Sequence, residues 1–150
     1  MNEEIQNGLG EISSARLGEL CHRYRHSDVT AEKFTGAVSD YKLYQDLVDL
    51  ALHHPHPVTR HEASFLLGEL GLTNAIPDLM RIVMLDKSIV AKHEAAESLG
   101  KLGENSDEAY GFLKAVIDPH NRKYEEGVYH SDVQATAELA IRQIDEKRSK

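Results

Sequence analysis

Apolar residues recur along this chain at the spacing of helix faces, and no segment shows the period-2 alternation, rich in β-branched and aromatic residues, that a sheet requires. Ile5, Leu9, Ile12, Leu17, Leu20 and Tyr24 form a first stripe, which Gly8, Gly10 and Gly18 weaken. The spacing predicts an N-terminal helix that depends on packing. Ser27-Asp28 is a helix-start signal for a short helix from about Thr30 to Val38, presenting Phe34 and Val38 to a neighbour. Ser39-Asp40 opens the next helix, through Leu43, Leu47, Leu50, Ala51 and Leu52, and His53-His54-Pro55 stops it. Farther on, a helix from Val133 to about Glu146 carries Ala137, Leu139, Ala140, Ile141 and Ile144, and ends in a tail rich in Lys and Arg.

Between these lies a repeat. Val58-Thr-Arg-His-Glu-Ala-Ser-Phe-Leu-Leu-Gly-Glu-Leu70 returns as Val90-Ala-Lys-His-Glu-Ala-Ala-Glu-Ser-Leu-Gly-Lys-Leu102, 32 positions later. Gln45-Asp46-Leu47-Val48-Asp49-Leu50 matches Pro77-Asp78-Leu79-Met80-Arg81-Ile82 at the same offset. Such a period predicts stacked pairs of antiparallel helices. In each unit the first helix holds a His-Glu pair and ends near Gly71 or Gly103, where glycine suits a left-handed cap. The small residues after each pair, Ala63-Ser64 and Ala95-Ala96, let neighbouring helices approach closely. The second helix opens near Pro77, or after Ser106-Asp107, and ends near Asp86 or Asp118. Pro119 to Asp132 is a longer polar connection containing Gly127.

The two His-Glu pairs are the feature of this pattern that can carry chemistry. Neighbouring first helices lie about 8–10 Å apart, so His61 is expected beside His93, and Glu62 beside Glu94. Adjacent residues on one helix point about 100° apart, so a single pair chelates poorly. Two pairs on neighbouring helices can bring two imidazoles and a carboxylate onto one ion. That set suits non-haem Fe(II), with Zn²⁺ or Mn²⁺ also compatible. The plainer reading is a solvated polar face. Against it, the equivalent positions Val29-Thr30 and Ala135-Thr136 lack the pair, so the repeat itself does not demand it. His53, His54 and His56 read as cationic groups at a helix C-terminus. Tyr124, Tyr129 and His130 lie either over the site or in a surface loop.

Composition narrows the setting. Charged residues are 28% and hydrophobic ones 41% of 150 residues, as in an ordinary soluble domain. The net charge of −8 argues against nucleic acid or an anionic membrane as partner, and a basic protein surface fits better. Cys21 is the single cysteine, so no internal disulfide forms. With no apolar run of about 20 residues and no basic, apolar leader, the expected location is the cytoplasm. Nucleophile-elbow, P-loop and dinucleotide motifs are absent.

Arg60-His-Glu-Ala-Ser-Phe-Leu-Leu-Gly-Glu-Leu, Ala75-Ile-Pro-Asp-Leu and Lys92-His-Glu-Ala-Ala-Glu-Ser-Leu-Gly resemble the HEAT-like repeats of deoxyhypusine hydroxylase. More loosely they resemble the wider phycobilin-lyase type of HEAT-like repeat. The likeness runs from about Asp46 to Ile144 and is strongest over residues 58–103. It implies a dinuclear iron centre that uses O₂ to hydroxylate a modified lysine on a translation factor, with His61, Glu62, His93 and Glu94 as the iron-binding set. The family carries four His-Glu motifs in two halves, whereas this chain has two and looks like one half. A homodimer that places one metal from each chain at its two-fold seam would complete the centre. The expected fold is all-α: a single HEAT-like array, or α-solenoid, of about four antiparallel helix hairpins. Residues 1–40 would be irregular N-terminal helices, 41–118 clear repeats, 119–132 a long loop and 133–146 the C-terminal helix. The alternative function is a non-catalytic protein-interaction module that uses the inner face of the stack.

Overall fold

The computed structural model describes residues 41–150, with side chains from residue 45. The helices expected within residues 1–40, and Cys21, lie outside the described residues. Six α-helices follow one another: α1 (Tyr41–His53), α2 (Pro57–Glu69), α3 (Ile76–Leu85), α4 (Ile89–Leu102), α5 (Asp107–Ile117) and α6 (Ser131–Arg148). Short 3₁₀ turns occupy Thr73–Ala75, Gly103–Asn105 and Glu126–Tyr129, and no strand occurs among the described residues. Nor is any described helix long and apolar enough to cross a membrane.

The helices form two rows. α2, α4 and α6 lie side by side in one row, and α1, α3 and α5 back them in the other. Leu47, Leu66, Leu79, Leu99, Leu113 and Ile144 are fully buried between the rows. The all-α repeat array is therefore present, but the hairpins divide differently from the sequence expectation. The closely packed pairs are α1–α2, α3–α4 and α5–α6, so the His-Glu helix is the second of each hairpin rather than the first. Turn length explains the difference for the first two hairpins, whereas α5 and α6 pack together across the long 118–130 connection. Residues 54–56 and 86–88 leave no room for anything but an antiparallel neighbour, whereas residues 70–75 carry the chain on to the next hairpin.

Side chains lock these turns. Arg60 grips Asp86 bidentately, with Nε donating to Oδ2 at 2.8 Å and Nη2 to Oδ1 at 3.0 Å. Its Nη1 donates to the His54 carbonyl at 2.8 Å, which ties the two hairpin turns together. Lys92 holds the equivalent place one repeat later. It is buried and donates from Nζ to the Val83 carbonyl at 2.8 Å. Burial pushes its ammonium below the ordinary lysine range, and Glu125 and Asp86 oppose that shift.

Three local expectations are revised. His53 lies in the last turn of α1 as expected, but the Nδ1 atoms of His54 and His56 accept from the backbone N–H groups of His56 and Val58, so these two imidazoles shape the start of α2. Gly71 has φ +69°, as a left-handed cap requires, but Gly103 has φ −83° and opens a 3₁₀ turn. Space at 103 is tight, because a Cβ there would fall 2.6 Å from Ile144 Cδ1, the movable end of that side chain. In the 119–132 connection, Val128 is fully buried and Tyr124 packs edge-on against Phe112. The Tyr129 hydroxyl accepts from Tyr124 N at 2.8 Å, so both tyrosines hold the loop to the body.

Candidate metal centre

α4 lies between α2 and α6, and its His-Glu pair serves both neighbours. Residues 93 and 94 are about 100° apart around the helix, so they cannot face the same way. Glu94 meets α2: its Oε2 is 3.5 Å from His61 Nε2, and the Glu94 side chain is 1% exposed. His93 turns to α6, where its Nδ1 is 2.6 Å from Thr136 Oγ1. His93 Nε2 points back to Glu94 Oε2 at 3.9 Å. These contacts run diagonally to the expected pairing of like with like, His61 with His93 and Glu62 with Glu94. The His of one unit reaches the Glu position of the next: His61 to Glu94, and His93 to Thr136.

The Thr136 contact bears on the His93 tautomer. When its hydroxyl donates to the Asp132 carbonyl at 2.8 Å, it has no second hydrogen to give. Toward His93 it then accepts, and His93 Nδ1 carries the hydrogen. In neutral His93 the lone pair therefore sits on Nε2, the nitrogen directed at Glu94. A carboxylate oxygen and an imidazole lone pair repel each other, and a cation between them turns that repulsion into attraction. Two Nε2 atoms and a buried carboxylate are also the donors that Fe(II) or Zn²⁺ accepts. The residues fit a divalent ion.

Glu62 is buried at 6% exposure. The donor group that the structure gathers is His93, Glu94 and Glu97, with ligand atoms all within 4.8 Å of one another. Glu62 and His61 both lie outside it, and His61 reaches it through Glu94 Oε2 at 3.5 Å. Glu97 is absent from the set that the repeated pairs predict. The available signal is its position four residues after His93, which puts both on one helix face. An open groove runs between α4 and α6 beside these groups, in two lobes of about 190 and 250 Å³ that share His93, Ala135 and Thr136. Val90 and Leu139 line it and are 49% and 52% exposed.

Comparison with known proteins agrees with this architecture. The HEAT repeats model matches residues 44–131. Deoxyhypusine hydroxylase-B of Oryza sativa subsp. japonica is 36% identical over 139 residues, covering 88% of this chain and 42% of that relative. Deoxyhypusine hydroxylase of Saccharomyces cerevisiae is 31% identical over 132 residues, covering 84% of this chain and 37% of that relative. The Neurospora crassa protein of the same name is 33% identical over 105 residues, 69% of this chain and 30% of that relative. The chain thus spans well under half the length of these relatives. No solved structure gives a significant match. With two rows of helices over the matched residues, this chain belongs to the HEAT-repeat family and resembles a segment of deoxyhypusine hydroxylase.

Proposed function

We propose that this chain binds a divalent metal ion, iron by its resemblance to deoxyhypusine hydroxylase, and is one half of an iron-dependent oxygenase completed by a second copy. The observation that carries the reading is the Glu94 carboxylate, buried at the α2–α4 contact with an imidazole Nε2 from each of two successive repeats turned onto it. His61 and His93 supply neutral nitrogen donors, Glu94 supplies the charge, and Thr136 holds His93 in the tautomer whose lone pair faces the site. Ferrous iron held by two histidines and one carboxylate keeps coordination positions for O₂ and water, the chemistry that oxygenases use. Glu62 belongs to the ligand set that the resemblance implies, and in this reading it is a neighbour of the site.

The chain has two His-Glu pairs, and α6 has Ala135-Thr136 at the equivalent place. A dinuclear centre needs donors for a second ion within about 4 Å, and a second copy is the simplest source. The test is anaerobic loading with Fe(II), desalting, metal analysis by mass spectrometry and sedimentation of the same sample. The expected result is a dimer with about one iron per chain and a visible absorption band on exposure to O₂. A metal-free protein would sink the metal site. A monomer with bound iron and no O₂-dependent band would sink the oxygenase and leave the site standing.

Thr136→Val checks the role given to the hydroxyl, because valine keeps the shape and removes the acceptor. Losing such an outer partner is expected to weaken metal binding by about 10–100-fold with helical content unchanged. An unaltered affinity would show that His93 needs no partner at Nδ1.

A second reading has its own observation. Val90 and Leu139, exposed along the α4–α6 groove, suit a non-catalytic module that holds a protein, and the charge of −8 favours a basic one. Partner capture indifferent to substitution of His61 and His93, by a chain that binds no metal, would favour it.

A further inference from the structure

We infer that Glu97 is a fourth protein donor to the divalent ion, closing the site on its groove side so that one chain holds the ion with two imidazoles and two carboxylates. The inference rests on the proposed metal site at His61, His93 and Glu94, and it adds a residue which that site does not contain. Glu97 is four residues after His93 on α4, so the two side chains project from one face of the helix. Its carboxylate lies with His93 and Glu94 in a group whose ligand atoms are all within 4.8 Å of one another. Ligands bound at about 2 Å to a shared ion lie at most about 4 Å apart, so a small side-chain adjustment brings the three onto one ion. Glu94 is buried at the α2 side, while Glu97 is partly buried and lines the groove toward α6. The two carboxylates therefore approach from different sides.

Position in the repeat separates this carboxylate from an ordinary surface acid. At the matching place the preceding unit has Phe65, and α6 has Leu139. Along α2, α4 and α6, the acid at this place occurs only on α4, which carries Glu94 and the histidine bonded to Thr136. Charge points the same way. Glu94 and Glu97 together bring two negative charges, which a divalent cation balances, and the neutral imidazoles add none. Three of these four donors, His93, Glu94 and Glu97, already lie together on α4, and His61 adjoins them through Glu94.

Co²⁺ is a suitable probe, because the intensity of its visible d–d bands reports coordination number and its binding can be followed without turnover. The unsubstituted chain, Glu97→Gln and Glu97→Asp are titrated with Co²⁺ under anaerobic conditions. Circular dichroism confirms that each remains helical, and Glu108→Gln, an exposed acid in the first turn of α5, is the control. Glu97→Gln should bind at least about tenfold more weakly, since even an outer partner of a metal ligand is worth that much, and its d–d bands should change in intensity. Glu97→Asp keeps the charge but withdraws the oxygen by one methylene, so it should change the bands too. A Glu97→Gln variant with the affinity and spectrum of the unsubstituted chain would overturn the inference. So would a Glu97→Asp variant identical to the unsubstituted chain, because long-range charge would then explain the effect. If His61→Ala with His93→Ala abolishes Co²⁺ binding while Glu97→Gln does not, only this inference fails. If the unsubstituted chain takes up no Co²⁺, the underlying metal site fails with it.

Discussion

Combining His61→Ala with His93→Ala is expected to lower bound iron at least about tenfold, the smallest loss seen when ligand support is removed from a metal site. The pair removes both imidazoles from around Glu94 and leaves carboxylate oxygens, which hold Fe(II) far less selectively than nitrogen donors do. Each single substitution should give an intermediate loss, because the other Nε2 remains beside Glu94 Oε2 at 3.5 or 3.9 Å. Folding should survive: the His93 side chain is 38% exposed, and neither imidazole is among the buried apolar side chains that form the core. Removing cationic or metal-binding neighbours from a buried carboxylate does carry some risk to stability. His61→Asn with His93→Asn, which keeps polar side chains there, is the gentler companion. Metal content measured by mass spectrometry on folded protein decides the matter, and an unchanged iron-to-chain ratio in both double variants would remove the site.

Gly100→Leu is expected to be the most damaging substitution to the fold, costing about 3 kcal/mol, the upper end of ordinary overpacking. A Cβ at residue 100 would fall 2.7 Å from Ala140 Cβ and 2.9 Å from Ala140 Cα. The second of these is backbone, so relief requires α6 to move away from α4. Gly68 has the same role in the preceding repeat, where a Cβ would meet Ser98 Oγ at 2.6 Å and Ser98 Cα at 3.0 Å. Moving α6 also withdraws Thr136 from His93, so metal affinity should fall along with stability. Gly111→Ala is the matched contrast. Nothing lies within 4 Å of a Cβ there, and alanine in a helix is worth roughly 0.5–1 kcal/mol over glycine. Chemical denaturation of the two variants should shift in opposite directions. A Gly100→Leu variant as stable as the parent would show that the α4–α6 contact is looser than these distances state.

Gly68 and Gly100 stand in register in the repeated segment, yet the periodicity assigns them no role. It points instead to Ala63-Ser64 and Ala95-Ala96 as the residues that let helices approach closely. Those residues are buried, and Ser98 Oγ adds a hydrogen bond to the Ser64 carbonyl at 2.7 Å. Which small residue meets which helix depends on rotation about each axis, and a one-dimensional period does not report it. Glu97 escapes a search of the sequence for a related reason: attention to the repeated pair hides a residue that occurs in one unit and not in the other.

By itself, the sequence determined where the helices run, that they repeat every 32 residues, and that His61-Glu62 and His93-Glu94 hold equivalent places. Those are properties of local spacing, of proline and serine at helix starts, and of residue identity, all of which a linear chain displays. Only the tertiary structure decided which helices form hairpins, that His61 meets Glu94, and that Thr136 meets His93 Nδ1. Each residue turns about 100° around a helix, so the two members of a His-Glu pair cannot both face one neighbour. Which of them meets the next helix is set by the mutual rotation and offset of packed helices, and those follow from side-chain contacts between segments far apart in the chain.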